Sequence, residues 1–315
     1  MSLTETLVAL AIGMLMMAAA VAGYAKARDA YAALETSARL QETARYAMAL
    51  IEADARMAGF WGLTNRADAV TASATLGFPA KCGGQAWVTN TLRFIDGSNN
   101  AYLSAPNCAA LSGGAQPGSD VLIIRRASAE RITPQNMTVA APNRDRVLVV
   151  TNRVQGQIFV PKDLSNAIPS GYATFDDPAQ APLADTRRLL VHAYYVSAGS
   201  STAADYPALR RKTLTAGPDV GDEEIVAGIE DLQFQIGIDT NGDSLADTFV
   251  DPGDAPAAAI PVSLRIWLRL RAAERDNSFT DDRAAAYADR TMNASHDHFR
   301  RLLYSRTLQL RNSRP

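Results

Sequence analysis

The sequence predicts an α+β protein in which one long N-terminal helix packs against an antiparallel sheet. Three observations carry that expectation. Thr6 to Ala25 is an uncharged, apolar run, and no Gly or Pro interrupts the helix-forming composition from Tyr24 to Ala58. Beyond Gly62 the apolar period falls to two, without the alternation of strands and helices that a parallel sheet requires.

The twenty uncharged residues from Thr6 to Ala25 would span roughly 30 Å at about 1.5 Å per residue, enough to cross the hydrocarbon core of a membrane. A removed secretory signal is the other reading, since Ala20-Val21-Ala22 offers a small-x-small cleavage pattern, but the run lacks a basic leader of its own. Lys26 and Arg28 follow it, so the positive-inside rule would leave the bulk of the chain in the cytoplasm. Basic residues preceding Met1 in a precursor would reverse that orientation. From residue 26 to 58, Tyr31, Leu34, Ala38, Ala44, Met48, Ile51 and Ala55 recur at helical steps, and Glu35, Arg39, Glu42, Arg45, Glu52 and Arg56 form the charged remainder. The expected organisation is a helix over 1–58, membrane-spanning over 1–25 and amphipathic over 26–58, with a head over 59–315. Gly59 is the expected helix stop, and Phe60-Trp61 the anchor into the core.

In the head, PVSLRIWLRLR (261–271) is the clearest strand, with Val262, Leu264, Ile266, Leu268 and Leu270 alternating with polar or bulky positions. Further strands are expected at 119–126, 146–152, 157–161, 188–196, 230–238 and 302–310. Long loops are expected at 62–118, 161–186, 197–222 and 271–298. The formal net charge of −2 argues against a dedicated nucleic-acid binder. Only Cys82 and Cys108 occur; flanked by Gly83, Gly84, Pro106 and Asn107, they read as a disulfide formed in an oxidising space, with two free thiols as the alternative.

Asp239, Asn241, Asp243 and Asp247 stand at positions one, three, five and nine of a stretch with the oxygen-rich pattern of an EF-hand-type calcium loop. Ser244 occupies the glycine position and Val250 the place of the bidentate Glu, leaving Asp247 or Asp251 to supply the missing ligand. A hairpin turn built on Asn241-Gly242 is the competing reading. His296 and His298 lack a third ligand and read as loop surface, and His192 reads as a strand residue. No nucleophile elbow, phosphate loop or zinc spacing is present, so no enzyme is expected. Arg265, Arg269, Arg271, Arg300, Arg301, Arg306, Arg311 and Arg314 read as a solvated face balanced by Asp276, Asp281, Asp282, Asp289 and Asp297, in preference to a DNA-binding surface.

MSLTETLVALAIG resembles the mature start of a type IV pilin-like chain, with an apolar first residue and a Glu at position five. RLQETARYAMALIEADARMAGFWG, from Arg39 to Gly62, resembles the corresponding junction of the PilW family of minor pilins, and weaker likeness continues through GIEDLQFQIGIDTNGDSLADTFVD and YSRTLQLRNSRP. The resemblance implies a type IV pilin fold and a leader removed ahead of an N-methylated first residue, here Met1 in place of the commoner Phe. It also implies that the Glu5 carboxylate pairs with the α-amino group of a neighbouring subunit, offsetting the cost of a charge in an apolar helix, with a carboxylate that only snorkels to the lipid headgroups as the alternative. The implied role is a minor pilin in a priming and tip complex of a type IV pilus. Its implied partners, met through the N-terminal helices, are the major pilin and other minor pilins, with a large adhesin at the tip. Before assembly the chain would sit in the inner membrane with its head in the periplasm; afterwards it would belong to the extracellular pilus. A J-type pseudopilin of type II secretion, and a secreted or periplasmic calcium-stabilised binding domain with a cleaved signal, are the alternatives.

Overall fold

α1 runs from Leu3 to Ala55, about 80 Å at the standard rise. It belongs to a computed structural model that describes residues 2–73, 76–78, 82–102, 108–132, 145–161, 169, 172–174, 183–217, 219–256 and 259–313. Met1, Arg314 and most of the loop expected over 161–186 lie outside the described residues.

The helix ends earlier than expected. A turn over 56–59 follows Ala55, and Gly59 leaves it with a φ of +73°. A Cβ there would lie 3.1 Å from the Phe94 ring and 3.2 Å from the Asn312 carbonyl, so this exit favours glycine on both conformation and space. The Gly59 amide then donates to the Arg125 carbonyl at 3.1 Å, and Trp61 is buried.

Among the described residues fifteen strands follow, with one short α-helix, α2 (Gly84–Thr89), and a 3-10 turn over Ala67–Ala69. Nine form a first sheet: β1 (Val70–Ala72), β2 (Ile95–Ser98), β3 (Val121–Ile132), β4 (Leu148–Thr151), β5 (Gly156–Phe159), β6 (Ala173–Thr174), β7 (Leu183–Ser197), β8 (Ala208–Thr215) and β9 (Asp219–Ala227). Its spine is the order β1-β5-β4-β7-β3-β2. Strand β7 is the hub: β3 lines one edge, β4 and β8 share the other, and β9 extends β8. A second sheet has the order β11-β10-β12-β15, from β10 (Ile229–Asp239), β11 (Thr248–Val250), β12 (Ile260–Arg271) and β15 (Arg301–Gln309). β13 (Ala285–Tyr287) and β14 (Arg290–Met292) pair as a separate ribbon.

The architecture is α+β, with two corrections to the sheet expectation. Among the described residues there are two principal sheets where one was expected, and the first is mixed, because β1 pairs β5 and β6 pairs β7 in parallel. The expected loop over 197–222 in fact contains β8 and the start of β9. The strand β8 escapes a hydrophobic pattern search because Arg210 and Lys212 fill buried positions, neutralised by Asp222 at 2.8 Å each.

The core lies where the C-terminal part of α1 meets both sheets. Ala44, Met48, Ile51 and Ala55 share one buried cluster with Val191 and Ala193 of β7, Phe234 and Ile236 of β10, and Leu264, Ile266 and Leu268 of β12. Packing begins at Leu40, later than the expected stripe: Tyr31, Leu34 and Ala38 are exposed.

Candidate assembly interface

Among the described residues the first part of α1 touches nothing in the head. Its most apolar window has a mean hydropathy of 2.2 and no buried residue, and α1 is long and apolar enough to cross a membrane. Leu3, Leu7, Val8, Leu10, Met14 and Leu15 each leave more than half their surface exposed. At roughly 25 cal/mol per Å² of apolar surface, such a face is costly to leave in water.

Ser2 and Glu5 organise the start of this helix. The Ser2 hydroxyl accepts from the Thr4 amide at 3.2 Å, and the Glu5 carboxylate accepts from the Ser2 amide at 2.8 Å, a capping box that satisfies amide groups with no partner inside the helix. Neither intermolecular pairing nor a place among the lipid headgroups anticipates this local role, although Ser-x-x-Glu ahead of an apolar run is its sequence signature. The carboxylate also favours the positive end of the helix dipole.

At its other end, α1 is fixed by two buried carboxylates on opposite flanks. Glu52 accepts from Arg56 Nε at 2.9 Å and pairs with Arg306 of β15 at 2.7 Å, and so belongs to the buried surface, a correction to its expected place in the solvated remainder. Asp54 turns to the first sheet. Arg126 of β3 donates to it from Nε at 3.0 Å and Nη2 at 2.6 Å, and His192 Nδ1 and the Tyr194 hydroxyl of β7 complete its shell. Burial alone would raise the Asp54 carboxyl; the His192 hydrogen bond and charge, the Arg126 charge and the Tyr194 hydroxyl outweigh it, holding the group well below the usual carboxylate range. The signal for this node is spacing, since Asp54 stands three residues after Ile51 and seven after Ala47, on the buried arc. Asn312 closes the junction, its Nδ2 reaching the Arg56 and Ala58 carbonyls at 3.3 Å each.

The remaining singled-out residues lie apart from this interface. Cys82 and Cys108 form a disulfide. Asp239 to Asp247 closes the β10–β11 connection: the Asp239 carboxylate accepts from the amides of Asn241, Gly242 and Ser244, and that of Asp247 from Thr240. The Gly242 amide leads the hydrogen bonds that lower the Asp239 carboxyl, and the Thr240 hydroxyl leads those that lower Asp247. Asp243 accepts from the Leu245 amide at 2.8 Å, and Asn241 donates to Asp247 at 3.0 Å. Asp251 turns away to accept from Gln235 at 2.8 Å, and among the described residues no group of three or more His, Cys, Asp or Glu side chains is arranged to hold a metal. His296 meets Asp282 at 2.8 Å and His298 the Phe279 carbonyl at 2.6 Å. The arginines of the C-terminal part meet local carboxylates: Arg300 pairs with Asp276 at 2.8 Å, and Arg301 with Glu230 at 2.8 Å and Asp297 at 2.6 Å. Arg265 instead stacks 3.9 Å from the Phe249 ring centroid.

The described residues therefore form a stem rooted in the head by Glu52 and Asp54, with a bare apolar end long enough to cross a membrane. A family model described as PilW, type IV pilus-assembly protein W, matches residues 193–312. The match supports a PilW-family assignment. The matched part runs from within β7 through β15 and contains Tyr194 and Arg306, two of the side chains that root the helix. No curated protein and no solved structure matches the chain. The PilW assignment suggests a role in type IV pilus assembly, a role that implies contact with other pilus components.

Proposed function

We propose that this chain is a minor pilin of the type IV pilin fold, held in the inner membrane by α1 with its head in the periplasm until it joins a priming and tip complex of a type IV pilus. The observation that carries the reading is the pairing of a PilW-matching head with a helix whose apolar end is buried against nothing among the described residues. In this reading the bare stem packs with the stems of the major pilin and other minor pilins. Glu5 then meets the α-amino group of a neighbour, and the role is structural.

The capping box supplies a sharp test. Gln at the same position keeps the local cap, because its side-chain oxygen can still accept from the Ser2 amide, but it carries no charge. In cells that make the protein, Glu5→Gln should leave it membrane-inserted yet depleted from sheared pili, as should Glu5→Ala. Normal incorporation of Glu5→Gln beside loss of Glu5→Ala would assign Glu5 to capping alone and refute the charge pairing.

A further inference from the structure

The second sheet ends on an edge strand whose outward-pointing main-chain groups belong to residues without the usual guards. β15 pairs β12 from Arg301 to Gln309 in an unbroken antiparallel register, and among the described residues no strand pairs its other edge. Hydrogen-bonded and non-bonded pairs alternate in such a ladder. The Leu310 amide bonds to Val262 and the Ala272 amide to Arg300, just outside the two ends of the register. The bonded residues of β15 are therefore Leu302, Tyr304, Arg306 and Leu308. The amides and carbonyls of Leu303, Ser305, Thr307 and Gln309 point away from β12. All four residues are exposed, none is charged, and the strand contains neither proline nor bulge. Charges, prolines and bulges are the devices that keep an edge from pairing with another chain.

Charge beside the edge says what fits. Glu42, Arg45, Ala49, Glu52 and Arg56 fall at steps of three, four, three and four, so they form one stripe along α1, and the Glu52 pair with Arg306 brings that stripe beside β15. Three guanidinium groups, Arg45, Arg56 and Arg306, stand there against two carboxylates, Glu42 and Glu52, so the flank keeps a net positive charge, and Glu52 already pairs with Arg56 and Arg306. Arg45 is exposed and makes no ion pair among the described residues. We propose that the free edge of β15, with the basic flank of α1 beside it, docks an extended acidic segment of a different polypeptide as an added strand. Main-chain hydrogen bonds supply the affinity and the arginines select acidic side chains on the face toward the helix. A second copy of this chain does not fit, because edge-to-edge pairing would bring two basic flanks together. The inference does not rest on the pilus reading, and its test does not involve pili.

The test uses the full chain in detergent and a labelled eight-residue peptide alternating glutamate with threonine or valine, followed by fluorescence anisotropy. Saturable binding is expected, with none for the same peptide methylated on every amide nitrogen and none when lysine replaces glutamate. Ser305→Pro removes only an outward-facing donor, so it should leave thermal unfolding unchanged and weaken binding roughly tenfold or more. Arg45→Glu, at an exposed helix position, should weaken binding about as much while leaving the β15 edge intact. No binding to the wild type, or equal binding of the methylated peptide, would overturn the proposal. So would self-association of the wild type that Ser305→Pro abolishes, which would assign the edge to a second copy.

Discussion

Replacing Asp54 with Ala should unfold the head at markedly lower temperature. The carboxylate is the shared acceptor of Arg126, His192 and Tyr194, and only 5 % of its side chain is exposed, so water cannot take its place. Stranding a buried hydroxyl costs about 1–3 kcal/mol, and a lost hydrogen bond to a charged group about 1.5–3 kcal/mol. Breaking a buried ion pair by removing one partner typically costs roughly 3–5 kcal/mol, and we expect that total for Asp54→Ala. For a head of this size, about 2–4 °C per kcal/mol converts it to a fall of roughly 6–20 °C. Near-UV circular dichroism of the detergent-solubilised chain reads this directly. Tyr194→Phe should cost less, because Asp54 keeps its other donors, and the two substitutions together should cost less than their sum. The pH dependence has a defined sign. The Asp54 carboxyl is held below its unfolded value, so its contribution is present above about pH 4 and is lost as pH falls toward the folded value. Asp54→Asn should therefore flatten the acid limb of the stability curve. A loss below about 1 kcal/mol for Asp54→Ala, with an unchanged acid limb, would refute the view that this node roots the helix.

Other expectations follow from the same structure. Asp120, buried between the sheets and accepting from the Asn100 and Phe234 amides, is pushed up to about 7, chiefly by burial, so its contribution is present below its unfolded value and is lost as pH rises through 7. The stability of Asp120→Asn relative to wild type should accordingly rise between pH 5 and pH 8 in chemical denaturation. Replacing Cys82 and Cys108 by Ser should cost about 3.5 kcal/mol on the chain-entropy model for a separation of 26 residues, read from denaturation midpoints with and without reductant. Asp239→Ala should speed hydrogen exchange at the Asn241, Gly242 and Ser244 amides and leave the core amides unchanged. Calorimetric titration with calcium decides the cation reading of that loop: binding heat lost in Asp243→Ala supports it, and no heat in the wild type refutes it.

Much of the secondary structure was legible because its physical signals are local. The uncharged run and its helix-forming continuation specify α1, and strict alternation specifies β12, whose apolar side chains Leu264, Ile266 and Leu268 are fully buried. What escaped has a common cause. β8 and β9 carry complementary charges at paired positions, Arg210 and Lys212 against Asp222, and Arg211 against Glu223 at 2.6 Å. Each strand alone reads as loop; only the pair makes its inward charges tolerable. The division into two sheets was equally hidden, since no single segment records which neighbour it will pair with. Of the interface, Glu5 was visible as a charge heading an apolar helix, whereas its cap required reading Ser2 with it. Glu52 read as part of the charged, solvated remainder and Asp54 was not singled out, because partners of both lie far along the chain in β3, β7 and β15.

Because Glu52 and Asp54 grip different sheets from the same helical turn, a pull along the stem divides at that point into two load paths, one through β15 and one through β3 and β7. All three strands are held by ladders to their neighbours, so traction that would peel a single attachment must shear two sheets together. The root of the stem is thereby built as a mechanical coupling.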